Sequence, residues 1–209
     1  EFVLAIVKSD GYLLEHAAKE LKADREVVLT AVKQICNALQ FADNNLQADH
    51  EFILAAVQTN GYALKYAAEK FKANRDVVLA AVKSDGFALK YADEKFRSDR
   101  DVVLAAVNSD GRALEFANVN FRTDREVVLA AVKTAGYELV LGDEKLWSDR
   151  EVVLAAVKSD CRALECARDK LWSDRKFVLA AVKLNSNALD YADEKLIADL
   201  KEEGLLKDN

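Results

Sequence analysis

The amino-acid sequence repeats itself every 25 residues, and this period constrains the fold more than any other feature. The clearest register is a leucine that recurs eight times without insertion: Leu4, Leu29, Leu54, Leu79, Leu104, Leu129, Leu154 and Leu179. Eight repeats start at residues 1, 26, 51, 76, 101, 126, 151 and 176. A unit this short buries its apolar face by stacking on its neighbours. We therefore predict a single helical-repeat array over residues 1–200 and a C-terminal capping tail over residues 201–209.

The fifth repeat shows how each unit begins. Asp99 precedes the apolar run and is the predicted N-cap of the first helix, because its carboxylate can accept backbone N–H groups two or three residues on. A capping box formed by Ser98 and Asp101 is the alternative frame. Because Ala23, Ala48 and Ala73 cannot supply the hydroxyl of such a box, the aspartate is the more general cap.

Two short helices are predicted in each repeat. Val103, Leu104 and Val107 lie on one helical face, which is predicted to face the core. Gly111 is predicted to end this helix in the left-handed conformation, and a second helix is predicted from near Ala113. Its inward positions are Leu114, Ala117 and Phe121. Helices of about ten residues are marginal alone, so we predict an all-α fold, an α-solenoid of eight 25-residue two-helix repeats.

The motif of the fifth repeat resembles a known family. It reads Asp99-Arg100-Asp101-Val102-Val103-Leu104-Ala105-Ala106-Val107, then Asp110-Gly111 and Ala113-Leu114. This pattern is similar to a family of tandem repeats that is classed only as a domain of unknown function and is common in algae and other protists and present in some bacteria. The resemblance implies a helical repeat and brings no catalytic motif with it.

Composition and charge exclude several classes of function. The chain carries 30 Lys and Arg against 36 Asp and Glu, a net charge of −6, so it lacks the basic surface of a nucleic-acid binder. The longest apolar runs, such as residues 152–157, are short, whereas a transmembrane helix needs about 20 apolar residues. We predict a soluble protein without a membrane span and without a nucleic-acid partner.

The cysteines and the N-terminus bear on the compartment. Cys36, Cys161 and Cys166 are odd in number and irregularly spaced, which favours a reducing intracellular or organellar compartment over a disulfide framework. The N-terminus shows no signal peptide. The chain begins with Glu1 instead of Met, which suggests a processed chain or a fragment of a longer protein.

Residues that usually carry catalysis are scarce. The two histidines, His16 and His50, occupy different registers, and no His, Cys or Asp arrangement has zinc-ligand spacing. Cys161 and Cys166 are interpreted as small residues in glycine and aromatic slots, with a redox or metal pair as the alternative. No glycine-rich phosphate loop is present. We predict no catalytic residue, no cofactor, no metal and no enzymatic activity.

Arginines recur where one repeat meets the next. They are Arg25, Arg75, Arg100, Arg125, Arg150 and Arg175. Each follows a capping position, so we predict ion pairs with carboxylates of the adjoining repeat. Binding of an anion or a phosphate is the alternative.

An apolar edge is the candidate partner-binding site. The register that holds Lys22 in the first repeat holds Trp147, Trp172 and Ile197 in the last three repeats. Stacking at the 25-residue period would place these three side by side, and tryptophan is frequent at binding hot spots. Val140 and Leu141 are predicted to extend this edge. Packing of the same side chains over the adjacent helix is the alternative.

These features favour a non-catalytic scaffold or protein–protein interaction module. Binding would use the variable positions along one face, for example Tyr12, Asn37, Arg112 and Arg162. One alternative is a structural subunit of a large algal or protist assembly, such as an organellar or membrane-associated complex. Another is a regulatory or targeting segment of a longer enzyme.

Overall fold

The computed structural model describes residues 2–206 and shows an all-α repeat solenoid, as predicted. The α-helices are α1 (Phe2–Ser9), α2 (Lys19–Lys22), α3 (Arg25–Gln34), α4 (Asn44–Ala48), α5 (His50–Thr59), α6 (Glu69–Lys72), α7 (Arg75–Ser84), α8 (Glu94–Arg97), α9 (Arg100–Ser109), α10 (Arg125–Thr134), α11 (Arg150–Ser159), α12 (Asp169–Trp172), α13 (Arg175–Leu184) and α14 (Glu194–Glu202). The 3₁₀-helices are Gly11–His16, Cys36–Phe41, Gly61–Tyr66, Gly86–Tyr91, Gly111–Phe116, Val119–Thr123, Gly136–Leu141, Glu144–Ser148, Cys161–Cys166 and Ser186–Tyr191.

The second half of each repeat differs from the continuous helix predicted from the sequence. In the fifth repeat it consists of two short 3₁₀-helices, Gly111–Phe116 and Val119–Thr123. Ala117 separates them with an extended backbone (φ −71°, ψ 157°), and its N–H donates to the carbonyl of Leu114. The i→i+3 bonding of a 3₁₀-helix rarely extends far, so the chain turns at Ala117 before the next helical segment.

The long helices from α3 onward begin at aspartate or asparagine caps, which confirms the predicted Asp99 frame over the capping box. The Oδ1 atom of Asp99 accepts hydrogen bonds from the N–H groups of Asp101 (3.0 Å) and Val102 (3.2 Å). Equivalent caps are Asp24, Asp49, Asn74, Asp124, Asp149 and Asp174.

Acidic caps also begin several of the shorter helices. Asp110 accepts from the N–H of Arg112 (3.0 Å) at the start of Gly111–Phe116. Asp93 accepts from the N–H of Lys95 (3.1 Å) at the start of α8. Other short helices begin without a side-chain cap, for example at Ala18 and Ala68. The capping aspartates account for part of the acidic composition.

The core faces of the long helices differ from the predicted set. In α9 the buried residues are Val102, Val103, Ala106 and Val107, whereas Leu104 is only half-buried. The prediction that Leu104 faces the core is therefore wrong. Valine and alanine allow neighbouring long helices to pack closely, and the bulkier leucine lies beside that contact.

The glycines that begin the 3₁₀-helices serve close packing. The left-handed conformation predicted for Gly111 is not found, because Gly204 is the only residue with a positive φ in the described part of the chain. A Cβ atom at Gly61 would lie 2.3 Å from the carbonyl oxygen of Ala81, and one at Gly136 would lie 2.1 Å from that of Ala156. The backbone of the following long helix thus occupies the space that a side chain would need.

The chain forms two compact units, Glu1–Asn118 and Val119–Asn209. The second compact unit ends in α14, where Leu200 is fully buried and Glu203 accepts hydrogen bonds from Arg175 (Nη1 to Oε1, 2.6 Å). The predicted capping tail thus begins inside α14, and its residues 207–209 lie outside the described residues.

Candidate interaction surface

The leucine register that defines the repeat lies at the surface of the long helices. We call these residues the leucine stripe. In the first compact unit they are Leu4, Leu29, Leu54, Leu79 and Leu104, and in the second they are Leu129, Leu154 and Leu179. Every one of them is half-buried. The residue directly after each leucine is also half-buried from the second repeat onward: Thr30, Ala55, Ala80, Ala105, Ala130, Ala155 and Ala180. The stripe is thus a regular apolar row that solvent reaches in part in every repeat.

A groove runs beside the stripe in the first compact unit, between α5 and α7. Its volume is about 460 Å³. Leu54 and Gln58 line it from α5, and Asp76, Leu79 and Lys83 line it from α7. These positions are spaced three to four residues apart on their helices, so they share one exposed face.

Two grooves lie beside the stripe in the second compact unit. One, of about 500 Å³, is lined by Arg150, Glu151, Leu154, Ala155, Lys158 and Leu184. The other, of about 440 Å³, is lined by Lys133, Ala155, Lys158 and Ser159. Because both grooves share Ala155 and Lys158, the surface is continuous across α11.

The two edges of this face differ in charge pairing. At the start of α11, Glu151 accepts a hydrogen bond from Arg125 (2.7 Å). At the other edge, Lys133, Lys158 and Lys183 are exposed, and within residues 2–206 none of their ammonium groups has a hydrogen-bond or ion-pair partner. Sequence reasoning missed this surface, although the period-25 lysine register beside the leucine was a visible signal.

Arginines pair with carboxylates of the next repeat, as predicted. Arg125 donates from Nε to Asp149 (2.6 Å), Arg25 donates to Asp49 (3.0 Å), and Arg150 pairs with Asp174. The Arg125 side chain holds the pKa of the Asp149 carboxyl below its usual range. These guanidinium groups therefore form ion pairs between repeats in this structure.

The predicted tryptophan edge is split between buried and exposed positions. Trp172 is only 5% exposed, and its ring stacks on Tyr191 (centroids 5.4 Å apart) and meets Phe177 edge-on (5.2 Å). Trp147, Leu141 and Ile197 are half-buried, and Val140 is 43% exposed. The packing alternative fits Trp172, and partner binding by the other residues stays a prediction.

Trp147 takes the place of a polar side chain with the same hydrogen-bonding role. Its Nε1–H donates to the carbonyl of Leu139 (3.0 Å). In the same register Lys22 donates to the carbonyl of Glu15 (2.7 Å). Gln47 and Arg97 bind carbonyls at the ends of their 3₁₀-helices in the same way. In these four repeats, the register supplies a donor to a carbonyl of the preceding 3₁₀-helix.

An aromatic cluster joins two repeats of the first compact unit. The Tyr91 hydroxyl donates to that of Tyr62, and the two rings meet edge-on with centroids 5.0 Å apart. Lys65 Nζ lies 5.2 to 5.8 Å from the ring centroids of Tyr62, Tyr66 and Tyr91. Burial, together with the Tyr62 hydroxyl, raises the pKa of Tyr91, so its hydroxyl stays protonated at neutral pH. The cluster contributes packing and cation–π contacts.

Two arginines at the variable positions are held by an aspartate of their own repeat and an aromatic ring of the preceding repeat. Arg162 donates from Nη2 to Asp160 (2.6 Å), and its guanidinium lies 4.6 Å from the centroid of the Tyr137 ring. Arg112 pairs with Asp110 and lies over Phe87 in the same manner. These contacts restrict two of the side chains that the sequence offered for binding.

The cysteines are free thiols in this structure. Cys161 is exposed, whereas Cys36 and Cys166 are half-buried. Burial raises the pKa of the Cys36 and Cys166 thiols, which lowers their thiolate fraction and their nucleophilicity. Among residues 2–206, no group of three or more His, Cys, Asp and Glu side chains is arranged to hold a metal ion.

Comparison with known proteins assigns the family. The model of the family described as "Domain of unknown function (DUF4116)" matches residues 1–47, 24–72, 49–97, 74–122, 99–147 and 149–197. No curated protein and no solved structure matches the chain. In the described part of the chain, no helix has the length and apolar character needed to cross a membrane. The matches cover most of the chain at the period of its repeats, and the chain belongs to the DUF4116 family of tandem helical repeats.

Proposed function

We propose that this protein is a non-catalytic scaffold that binds protein partners through its leucine stripe. The observation that carries this proposal is that a leucine recurs at the surface of every long helix, half-buried each time. The neighbouring core positions, such as Val103 and Val107, are fully buried, unlike the leucine. A large apolar side chain kept beside the core in each repeat is better suited to a contact than to packing within the chain.

The surroundings of the stripe support the same proposal. Grooves of about 440 to 500 Å³ adjoin it, and lysines border it. Repeat proteins commonly bind partners along an extended face made of equivalent positions. As such a scaffold, the protein would serve as a subunit of a larger assembly. A reducing compartment is part of this proposal, supported by the three free thiols.

A capture experiment tests this proposal. Tagged wild-type protein and the double variant Leu54→Glu/Leu79→Glu are used as baits in an extract of the source cells, and bound proteins are identified by mass spectrometry. We expect the variant to lose partners that the wild type retains, because two glutamates would disrupt the apolar surface of the stripe.

The control replaces an apolar residue away from the stripe. Val119 is 62% exposed, so Val119→Glu introduces the same charge at an exposed position outside the register. Circular dichroism establishes that all three baits are folded. Equal capture by the wild type and by the stripe variant would contradict the proposal.

A further inference from the structure

The stripe of the second compact unit forms a continuous apolar surface across three helices. Leu129, Leu154 and Leu179 lie at equivalent positions of α10, α11 and α13. The grooves on either side of Lys158 meet at Ala155. Leu184, at the end of α13, is 43% exposed and extends the apolar lining. An occupant of this surface would therefore cross the long helices and contact successive repeats.

Charge distinguishes the two edges of this surface. Glu151 is already paired with Arg125, and Arg150 is paired with Asp174. The ammonium groups of Lys133, Lys158 and Lys183 have no such partner within the described residues. The uncompensated charge at this surface is therefore positive, although the chain as a whole carries −6. A partner with carboxylates along one edge is complementary to it.

The spacing of the repeats favours a helical occupant. Packed helices lie about 8–10 Å apart, and seven residues of an α-helix rise about 10.5 Å. A helix with an apolar position every seven residues would therefore present one such position to each repeat. An extended strand advances about 10 Å in three residues, and its side chains alternate between faces. Every second contact of a strand would point away from the stripe.

We propose that the leucine stripe of the second compact unit binds an acidic amphipathic helix. The helix carries apolar residues at heptad spacing against Leu129, Leu154 and Leu179. Its Asp or Glu side chains line the flank that faces Lys133, Lys158 and Lys183. This inference rests on the proposed function, because it names the chemistry of a partner for the same surface.

Other occupants fit the surface less well. A second copy of the chain would offer a stripe edged by glutamates such as Glu151, which arginine already engages. Nucleic acid would contact three lysines, but the leucines and the alanine beside them offer no hydrogen-bond donor to a phosphate. An anionic membrane could contact both the lysines and the leucines, and vesicle binding distinguishes it from a helix.

Peptide binding tests the inference with the full chain. Three fluorescent peptides of about 21 residues, or three heptads, are compared by fluorescence anisotropy. The first has leucines at heptad spacing with glutamates on the flanks, the second has lysines in place of the glutamates, and the third is a scramble of the first. We expect the first to bind at least tenfold more tightly than the other two, and its affinity to fall as salt is raised.

Protein variants locate the binding. Leu154→Glu and Lys158→Glu should each weaken binding of the acidic peptide tenfold or more. Lys145→Glu is the matched control, because Lys145 is an exposed lysine of the same compact unit outside the stripe. It should change the affinity less than twofold. Equal affinity for the acidic and basic peptides, or no effect of Leu154→Glu, would overturn the inference.

Two further measurements distinguish the other occupants. Binding to vesicles of phosphatidylcholine and phosphatidylserine without binding of the acidic peptide would overturn the helix in favour of a membrane. Dimerisation in sedimentation that Leu154→Glu abolishes, again without peptide binding, would overturn it in favour of a second copy. Loss of partner capture in the Leu54→Glu/Leu79→Glu variant would leave the proposed function standing even if no peptide bound.

Discussion

Aspartates at helix starts act through backbone hydrogen bonds and through charge. Asp149 accepts from the N–H groups of Glu151 (3.0 Å) and Val152 (3.1 Å) and pairs with Arg125. These contacts favour the carboxylate, so the pKa of Asp149 is lowered, as are those of Asp49 and Asp174. Each lowered pKa links the stability of the fold to pH.

Acid should therefore destabilise the protein in a defined range. A carboxyl whose pKa is lowered by folding stabilises the native state above its unfolded pKa of about 3.9, and this contribution is lost as the pH falls through the lower folded pKa. We expect the urea midpoint to fall from pH 5 to pH 2.5. Asp149→Asn should be less stable at pH 7, and its difference from the wild type should shrink in acid. A difference as large at pH 2.5 as at pH 7 would contradict this assignment.

Glycine at the start of a 3₁₀-helix is required by the neighbouring repeat. In Gly61→Ala the new Cβ would lie 2.3 Å from the Ala81 carbonyl oxygen and 2.8 Å from the backbone nitrogen of Asp85. We expect a loss of about 1–3 kcal/mol in the free energy of unfolding, since backbone must shift. Cys161→Ala is the control, because Cys161 occupies the same register, is exposed and already carries a Cβ. Equal stability of the two variants in urea titrations would refute the close-packing explanation.

At the scale of the helices, α9 leaves its largest apolar residue half-buried and fully buries smaller ones. Val103 is fully buried, whereas Leu104 is half-buried. We expect Val103→Ala to cost about 2 kcal/mol and Leu104→Ala clearly less, although leucine loses more atoms. Urea unfolding of the two variants measures this difference. A larger loss for Leu104→Ala would place the leucine stripe in the core.

In four repeats a side-chain donor binds a carbonyl of the 3₁₀-helix before it. Trp147 supplies it with its indole N–H, where Arg97 uses its guanidinium. Trp147→Arg should therefore retain more stability than Trp147→Leu, because the leucine leaves the Leu139 carbonyl without this donor, at a cost of about 1 kcal/mol. Thermal unfolding compares the two variants. A more stable leucine variant would show that apolar packing, not the hydrogen bond, explains Trp147.

Across the whole chain, the period of 25 residues made the fold class, the aspartate caps and the inter-repeat arginine pairs predictable. The inward face was not predictable, because five or six consecutive apolar residues, such as Val102 to Val107, satisfy more than one helical face. The split of the second helix escaped prediction because a 3₁₀-helix and an α-helix share similar spacings. The sequence leaves both partner contact and packing open for Trp172, since it does not show that Tyr191 and Phe177 cover this ring.

The central claim is that the leucine stripe is a binding surface for protein. Site-specific photo-crosslinking tests it most directly, with benzoylphenylalanine replacing Leu154 in one variant and Val119 in another. Leu154 lines a groove of the stripe, and Val119 is 62% exposed outside the stripe register. We predict covalent adducts with a partner protein from position 154 and none from position 119 in irradiated cells. Adducts from position 119 alone, or none from position 154 in a folded variant, would contradict the claim.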